Sequence, residues 1–313
     1  MTLRRTLFTA VLSGGLLFSA GCAGDDVADD DSGNNDSSGG GKVVLASQGF
    51  DEAALLSAMY DEVLDDAGYD VEVKLVDTRA VYLKEFPGSV DIVPEYVAGI
   101  GDQLNTDANG EGAPVISSSD LDETLAAMAP LLEDKGITLL EPSGAASQNA
   151  YFVTQEFSDA NGVTALSDLE GESVTLAAAP DCEGRADCEA GLTDVYGMDV
   201  TLLPLGYASP QTYQAVVDGE AELGQTGTLD GTLAEQGLVL LEDDRGIQPA
   251  QNLVPAVSTE FLDEHPDIRE PLEALMAALD NATLGELIAR VTVDRETPED
   301  VAEEFVESEG LVD

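Results

Sequence analysis

Side chains that could carry chemistry are few and scattered along this chain. One histidine, His265, stands in Asp-Glu-His-Pro, which reads as a turn before a helix; any Ser-His-Asp site would have to use it. There is no tryptophan, and the three cysteines lack CxxC spacing, so no set of metal ligands is supplied together. Paired acids such as Asp243-Asp244 suit carboxylate-based hydrolysis. Among 63 acidic residues, however, such pairs arise by chance, and nothing places two of them at a site with separated pKa values. The residues therefore assemble no catalytic set in the sequence, and no metal or cofactor is expected. An exported enzyme using carboxylates is one reading of so many acids.

The charge balance narrows the partners. With 12 basic residues against 63 acids, the formal charge is −51, and a polyanion finds too few cations to displace its counterions. Nucleic-acid binding is excluded on that ground. High charge is also a mark of disorder, but 43% of residues are hydrophobic and fall in periodic runs, which argues for a folded core. The acid excess is then a surface property, as in proteins adapted to high salt.

Residues Met1 to Cys22 read as an export signal: Arg4 and Arg5, an apolar stretch from Leu7 to Phe18, then Ser19-Ala20-Gly21-Cys22. The pattern resembles a lipoprotein signal, which implies lipidation of Cys22 and a protein held on the outer face of the cell membrane. From Ala23 to Gly41 the chain is mostly Gly, Asp, Ser and Asn, a flexible tether with too little apolar surface to bury.

Beyond the tether the elements alternate. Strands are expected near Val43–Ala46, Val71–Leu75, Val90–Val93, Ile137–Leu140, Tyr151–Thr154, Val174–Ala177, Val200–Leu205, Glu222–Thr226, Leu238–Leu241 and Val254–Ser258. Helical spacing follows Asp51 and recurs at Leu121–Asp134, Leu192–Tyr196, Thr212–Val217 and Leu229–Gln236, and from Pro266 to the end. Strands alternating with helices make an α/β fold. Glu141–Gln148 and Glu242–Gln251, rich in Pro, Gly and polar residues, read either as crossings between two lobes or as surface loops of one domain.

Several segments then resemble a known family. They are Ser47-Gln-Gly-Phe-Asp-Glu52, Val90-Asp-Ile-Val-Pro-Glu-Tyr96, Ala179-Pro-Asp-Cys-Glu-Gly-Arg-Ala-Asp-Cys188, Gly191-Leu-Thr-Asp-Val-Tyr-Gly197, Leu240-Leu-Glu-Asp-Asp244 and Pro249-Ala-Gln-Asn-Leu-Val-Pro255. In this order they are similar to the substrate-binding proteins of ABC importers for glycine betaine, choline and carnitine. The resemblance implies a two-lobed periplasmic-binding-protein-like fold of type II. Residues 42–148 with 252–313 would form one lobe and 149–251 the other. It also implies a ligand in the cleft between them, delivered to a membrane permease and its ATPase.

A quaternary ammonium has no hydrogen-bond donor and is met by aromatic faces. The resemblance places Tyr96 among them. At other positions this chain departs from the family, with Arg79, Asn149, Gly227 and Gln251 where choline-type members often carry aromatic, acidic or other polar residues. An arginine repels a cation and pairs bidentately with a carboxylate, or else with one of the chain's own acids. The expectation is a zwitterionic osmolyte such as glycine betaine, with Arg79 on its carboxylate, Tyr96 and Tyr207 in the cleft, and hydrogen bonds from Asn149, Thr226, Thr228, Gln251 and Asn252. Choline, carnitine, a modified amino acid or a polyol are the alternatives. Glu95 is expected to cap a helix, Phe50 to pack on the helix that follows it, and Tyr213 to join a helix-face core. The exported location favours a Cys182–Cys188 disulfide.

Overall fold

A computed structural model describes residues 40–312. The export signal, Cys22 and all of the tether before Gly40 lie outside the described residues. Ten strands form: β1 (Lys42–Gln48), β2 (Asp70–Val76), β3 (Ile92–Tyr96), β4 (Ile137–Leu139), β5 (Asn149–Thr154), β6 (Ser173–Ala178), β7 (Asp199–Pro204), β8 (Leu223–Gly227), β9 (Leu238–Leu241) and β10 (Leu253–Ser258). All ten lie where the alternating patterns put them, with boundaries moved by a few residues.

The strands build two five-stranded sheets, ordered β2-β1-β3-β10-β4 and β7-β6-β8-β5-β9. In each sheet the fourth strand runs antiparallel to both its neighbours: β10 in the first, β5 in the second. Each is also the strand by which the chain enters that sheet from the other. The result is a bilobed α/β architecture of two mixed sheets with helices on their faces.

The inner strands of each sheet are buried on both faces and read as nearly continuous apolar runs, while the edge strands β2 and β7 keep a wet side. Val43 and Leu45 of β1 join one core with the helices Asp51–Asp66, Arg269–Ala278, Asn281–Ala289 and Pro298–Ser308. Ala46, Val93 and Val254 join another with Val97–Asn109 and Leu121–Lys135. In the second sheet Tyr151 and Val153 face one core and Phe152 the other. Cys182 and Cys188 are joined by a disulfide, their Cα atoms 5.3 Å apart, and both are buried.

Three local expectations change. β3 starts at Ile92 and continues through Pro94 to Tyr96; Pro94 faces Pro255 of β10, so two residues lacking an N–H meet where the ladder needs none. The helix Val97–Asn109 was not expected, because Gly99 and Gly101 lower its helical propensity. A side chain at Gly99 would put its Cβ 2.5 Å from Arg79 Nη2, so the glycine is there for close packing. Conversely, Leu229–Gln236 forms only a turn and a short 3₁₀ segment at Ala234–Gln236. Asp230 Oδ1 accepts the backbone N–H and the hydroxyl of Thr232, a local turn that competes with helix, and Gly231 lies against the Gly285 carbonyl.

Candidate functional site

The carboxyl ends of β1, β3, β6, β7 and β8 carry the loops that converge between the two sheets, the usual place for a ligand in α/β proteins. Two adjoining cavities lie there. One, of about 280 Å³, is lined by Ser147, Asn149, Arg185, Tyr207, Gln248 and Gln251, among others. The second, of about 180 Å³, is lined by Glu52, Ser147, Tyr207, Thr226, Gly227 and Asp230, among others. They meet at Ser147 and Tyr207. A hollow of about 420 Å³ beside Asp91, Gly136 and Thr259 is larger, but it sits at the opposite ends of β3 and β10 from Tyr96 and gathers none of these loops.

The second cavity is electronegative. Glu52 lies in the first turn of the helix after β1. Its Oε1 accepts the Tyr96 hydroxyl at 2.6 Å and its Oε2 accepts Ser147 Oγ–H at 3.2 Å. Burial pushes the Glu52 carboxyl above its ordinary pKa, and those two hydrogen bonds offset part of the shift. Across the cavity, Asp230 Oδ2 accepts hydrogen bonds from the hydroxyls of Tyr213 at 2.6 Å and Thr226 at 2.7 Å. Tyr207 is 49% exposed and stands over Gly227, where a Cβ would come within 2.7 Å of its hydroxyl oxygen. Its pKa is pushed up to about 12 by desolvation, then by the charges of Glu52 and Asp230. The charges of Glu52 and Asp230, the smaller part of that shift, have the sign that favours a cation.

The first cavity carries a guanidinium. Arg185 projects from the loop closed by the disulfide and is held by Asp187, with Nε on Oδ1 at 2.9 Å and Nη2 on Oδ2 at 2.5 Å; Nη1 reaches Asp181 at 3.2 Å. Asn149 Nδ2 donates to Asp187 Oδ2 at 2.9 Å, fixing the same carboxylate from β5. Five guanidinium N–H groups against three bonds leave Arg185 with donors to offer.

Arg79 is placed differently from the expectation. Its Nε and Nη2 donate to Glu95 Oε1 and Oε2 at 2.7 and 3.0 Å, and the Tyr82 hydroxyl and the Tyr96 backbone N–H complete the shell around that buried carboxylate. Arg79 lines neither cleft cavity, because its fork is already matched to an internal acid. Glu95 is therefore an ion-pair partner and not a helix cap.

The other expected residues divide. Asn149, Tyr207, Thr226 and Gln251 line the two cavities, and Tyr96 reaches the second through Glu52. Gln251 Oε1 also accepts the Gly99 N–H at 3.0 Å, at the start of the Val97–Asn109 helix. Thr228 and Asn252 fasten the connecting segments. Thr228 Oγ1 donates to the Ala146 carbonyl and accepts the Gln148 N–H, while Asn252 Nδ2 donates to the Ser143 carbonyl. Phe50 is 42% exposed and is not a packing staple. Tyr213 stacks on Phe152 with centroids 5.2 Å apart, as a helix-face core residue should, yet its hydroxyl also orders Asp230.

Glu52, Ser147, Arg185, Asp230 and Gln248 were not singled out from the sequence. A signal existed for one of them: Arg185 is among the few cations and lies between two cysteines.

Among the described residues no group of acids, histidines and cysteines is arranged to hold a metal ion. Two α/β sheets facing a polar cleft, with acids at one end and the Arg185–Asp187 pair at the other, describe a solute-binding protein. Residues 41–308 match the family of substrate binding domains of ABC-type glycine betaine transport systems, and the chain belongs to it. It is an extracytoplasmic binding protein of an ABC importer and not an enzyme. It is similar to the glycine-betaine-binding protein of Pseudomonas aeruginosa, 28% identical over 293 residues that cover 86% of this chain and 88% of that protein. It is also similar to the glycine betaine-binding protein YehZ of Escherichia coli, 29% identical over 280 residues, covering 83% and 88%. The solved structure of apo YehZ shares the fold with a TM-score of 0.73 at 25% identity, covering 87% of this chain and 99% of that one.

Proposed function

We propose that this protein captures a zwitterionic compatible solute, glycine betaine or a close relative, and hands it to the membrane permease of an ABC importer powered by its ATPase. The observation that carries the reading is the polarity of the cleft: Glu52 and Asp230 around Tyr207 at one end, Arg185 at the other. The ammonium of the ligand goes to the tyrosine and the two acids, and its carboxylate to Arg185. Arg79 acts behind the site by holding Glu95, whose Oε2 in turn accepts the Tyr96 N–H.

In this reading residues 42–148 and 252–313 are one lobe of a type II binding-protein fold and 149–251 the other. The chain crosses between them near Ser147–Asn149 and Gln248–Asn252. Those segments are paired through Ser147 N–H to Gln251 O at 3.0 Å and Leu253 N–H to Ala145 O at 3.0 Å, a narrow strap about which two rigid sheets can close. The expected anchor is lipid on Cys22, with the folded part outside the membrane. Isothermal calorimetry in molar salt tests the ligand assignment. Glycine betaine should bind, choline, which lacks the carboxylate, should bind at least about tenfold more weakly, and Arg185→Ala should erase that difference. Choline binding as tightly as glycine betaine would remove the assignment.

A further inference from the structure

A sheet edge left open is a template for another strand, and natural proteins blunt such edges. The two sheets have four edge strands, β2, β4, β7 and β9. Two are short, β4 with three residues and β9 with four, and β7 ends in Pro204. β2 reads Asp-Val-Glu-Val-Lys-Leu-Val and runs for seven residues in unbroken register with β1, with no proline.

The backbone of β2 serves its two sides in turn. Asp70 N–H donates to Gly41 O at 3.2 Å and Val76 O accepts the Gly49 N–H at 2.9 Å, so the even-numbered residues bond toward β1. Val71, Val73 and Leu75 turn their N–H and C=O groups the other way, where no strand lies among the described residues. Their side chains share the sheet face of Val43 and Leu45, yet Val73 is 37% and Leu75 48% exposed. Charge sets this edge apart as well. Two of the chain's four lysines, Lys42 and Lys74, stand 2.5 and 3.7 Å from Glu72, and with Asp70 they leave the edge neutral on a chain of −51.

This strand is complementary to itself. Set antiparallel against a second β2 about Val73, Val71 meets Leu75 and Glu72 meets Lys74, and every outward N–H and C=O of Val71, Val73 and Leu75 finds a partner. Moving the axis by one residue sets Glu72 on Glu72 or Lys74 on Lys74, so charge selects a single register. Lys74, which would deter a foreign strand, is matched by a copy of its own.

We infer that β2 is a homodimer interface, through which two copies of this chain join edge to edge and merge their five-stranded sheets into one. The carboxyl ends of the strands face the cleft and β2 runs parallel to β1, so the two clefts point to opposite ends of the pair and stay open to solute. Only one of them faces a given membrane at a time. The acids elsewhere on both copies repel, and the pairing strengthens as salt screens them.

Analytical ultracentrifugation of the full chain, kept soluble by Cys22→Ser, tests this between about 0.1 M and about 2 M salt. A dimer should form at high salt, with a dissociation constant at least about tenfold lower than in dilute buffer. Val73→Lys, at an exposed position, sets two like charges on the axis and should raise that constant at least about tenfold while leaving glycine betaine affinity unchanged. Glu72→Lys and Lys74→Glu should each weaken the pairing of their own chains. A mixture of these two variants, in which every charge again meets its opposite, should recover it, and general damage to the strand would not be repaired by mixing. A chain that stays monomeric at both salt concentrations, a dimer that survives Val73→Lys, or a mixture no more dimeric than its parts would overturn the inference. None of these outcomes bears on the cleft reading.

Discussion

Arg79 and Arg185 are both held by carboxylates but have different work, and the reason is where those carboxylates lie: Glu95 is buried behind the cleft, Asp187 on its wall. Arg79 and Glu95 form a buried, bidentate pair whose remaining lone pairs are filled by Tyr82 and the Tyr96 N–H. Removing one member of such a pair strands a charge. Arg79→Ala should therefore cost about 3–5 kcal/mol of stability in urea unfolding, far more than loss of a ligand contact. A variant as stable as the parent would show that the pair is not structural. Rarity of positive charge pointed to arginine from the sequence alone, but it did not say which arginine lines the cleft, because Glu95 and Asp187, which hold the two, are two acids among 63.

Glu52 gives a pH test at the same scale. Burial raises its pKa, and a cation beside it favours the ionised form, so ligand binding releases a proton. Affinity should weaken as pH falls through that raised value, and Glu52→Gln should bind more weakly at neutral pH with a flatter profile, measured by calorimetry between about pH 7 and about pH 5. For the empty protein the sign is opposite. A carboxyl with a raised folded pKa adds stability below its unfolded pKa, and that contribution is lost as pH rises through the folded value.

At the level of elements, strands were legible and helices less so. Strand patterns survive because the inner strands are buried on both faces, so apolar runs at Val43–Ala46 or Val254–Ser258 have one interpretation. Glycine misleads in helices: Gly99 marks close packing against a guanidinium inside a helix, and Gly231 marks contact between elements. Gly231 follows β8 of the second sheet, and a Cβ there would lie 2.4 Å from the carbonyl oxygen of Gly285, in a helix packed on the first sheet. The adjacent Leu229 and Asp230 line the cleft. Gly231→Ala should push these elements apart and lower ligand affinity about tenfold or more with little loss of secondary structure by circular dichroism. Unchanged affinity would mean that the contact does not set the cleft.

For the molecule as a whole, the formal charge of −51 describes solvent more than partners. Acids crowd across helix pairs: Glu62 on Asp51–Asp66 has its pKa raised first by desolvation, then by Glu303, Asp61, Asp65 and Glu307, two of which lie on Pro298–Ser308. Ions screen such repulsion within about 10 Å at 0.1 M and over shorter distances above that. The melting temperature should climb from dilute buffer into molar salt, and a flat profile would contradict this. Composition made that surface legible, and ordered motifs made the family legible. The cleft's polarity was not, because it depends on side chains from separate loops that meet only when both sheets are in place.

A crystal structure with glycine betaine bound tests the central claim most directly. The account predicts the ligand between the two sheets, its carboxylate within hydrogen-bond reach of Arg185 and its methylated nitrogen against Tyr207, between Glu52 and Asp230. A carboxylate resting on Arg79, reversed ends, or a ligand in the hollow beside Asp91 and Thr259 would contradict it.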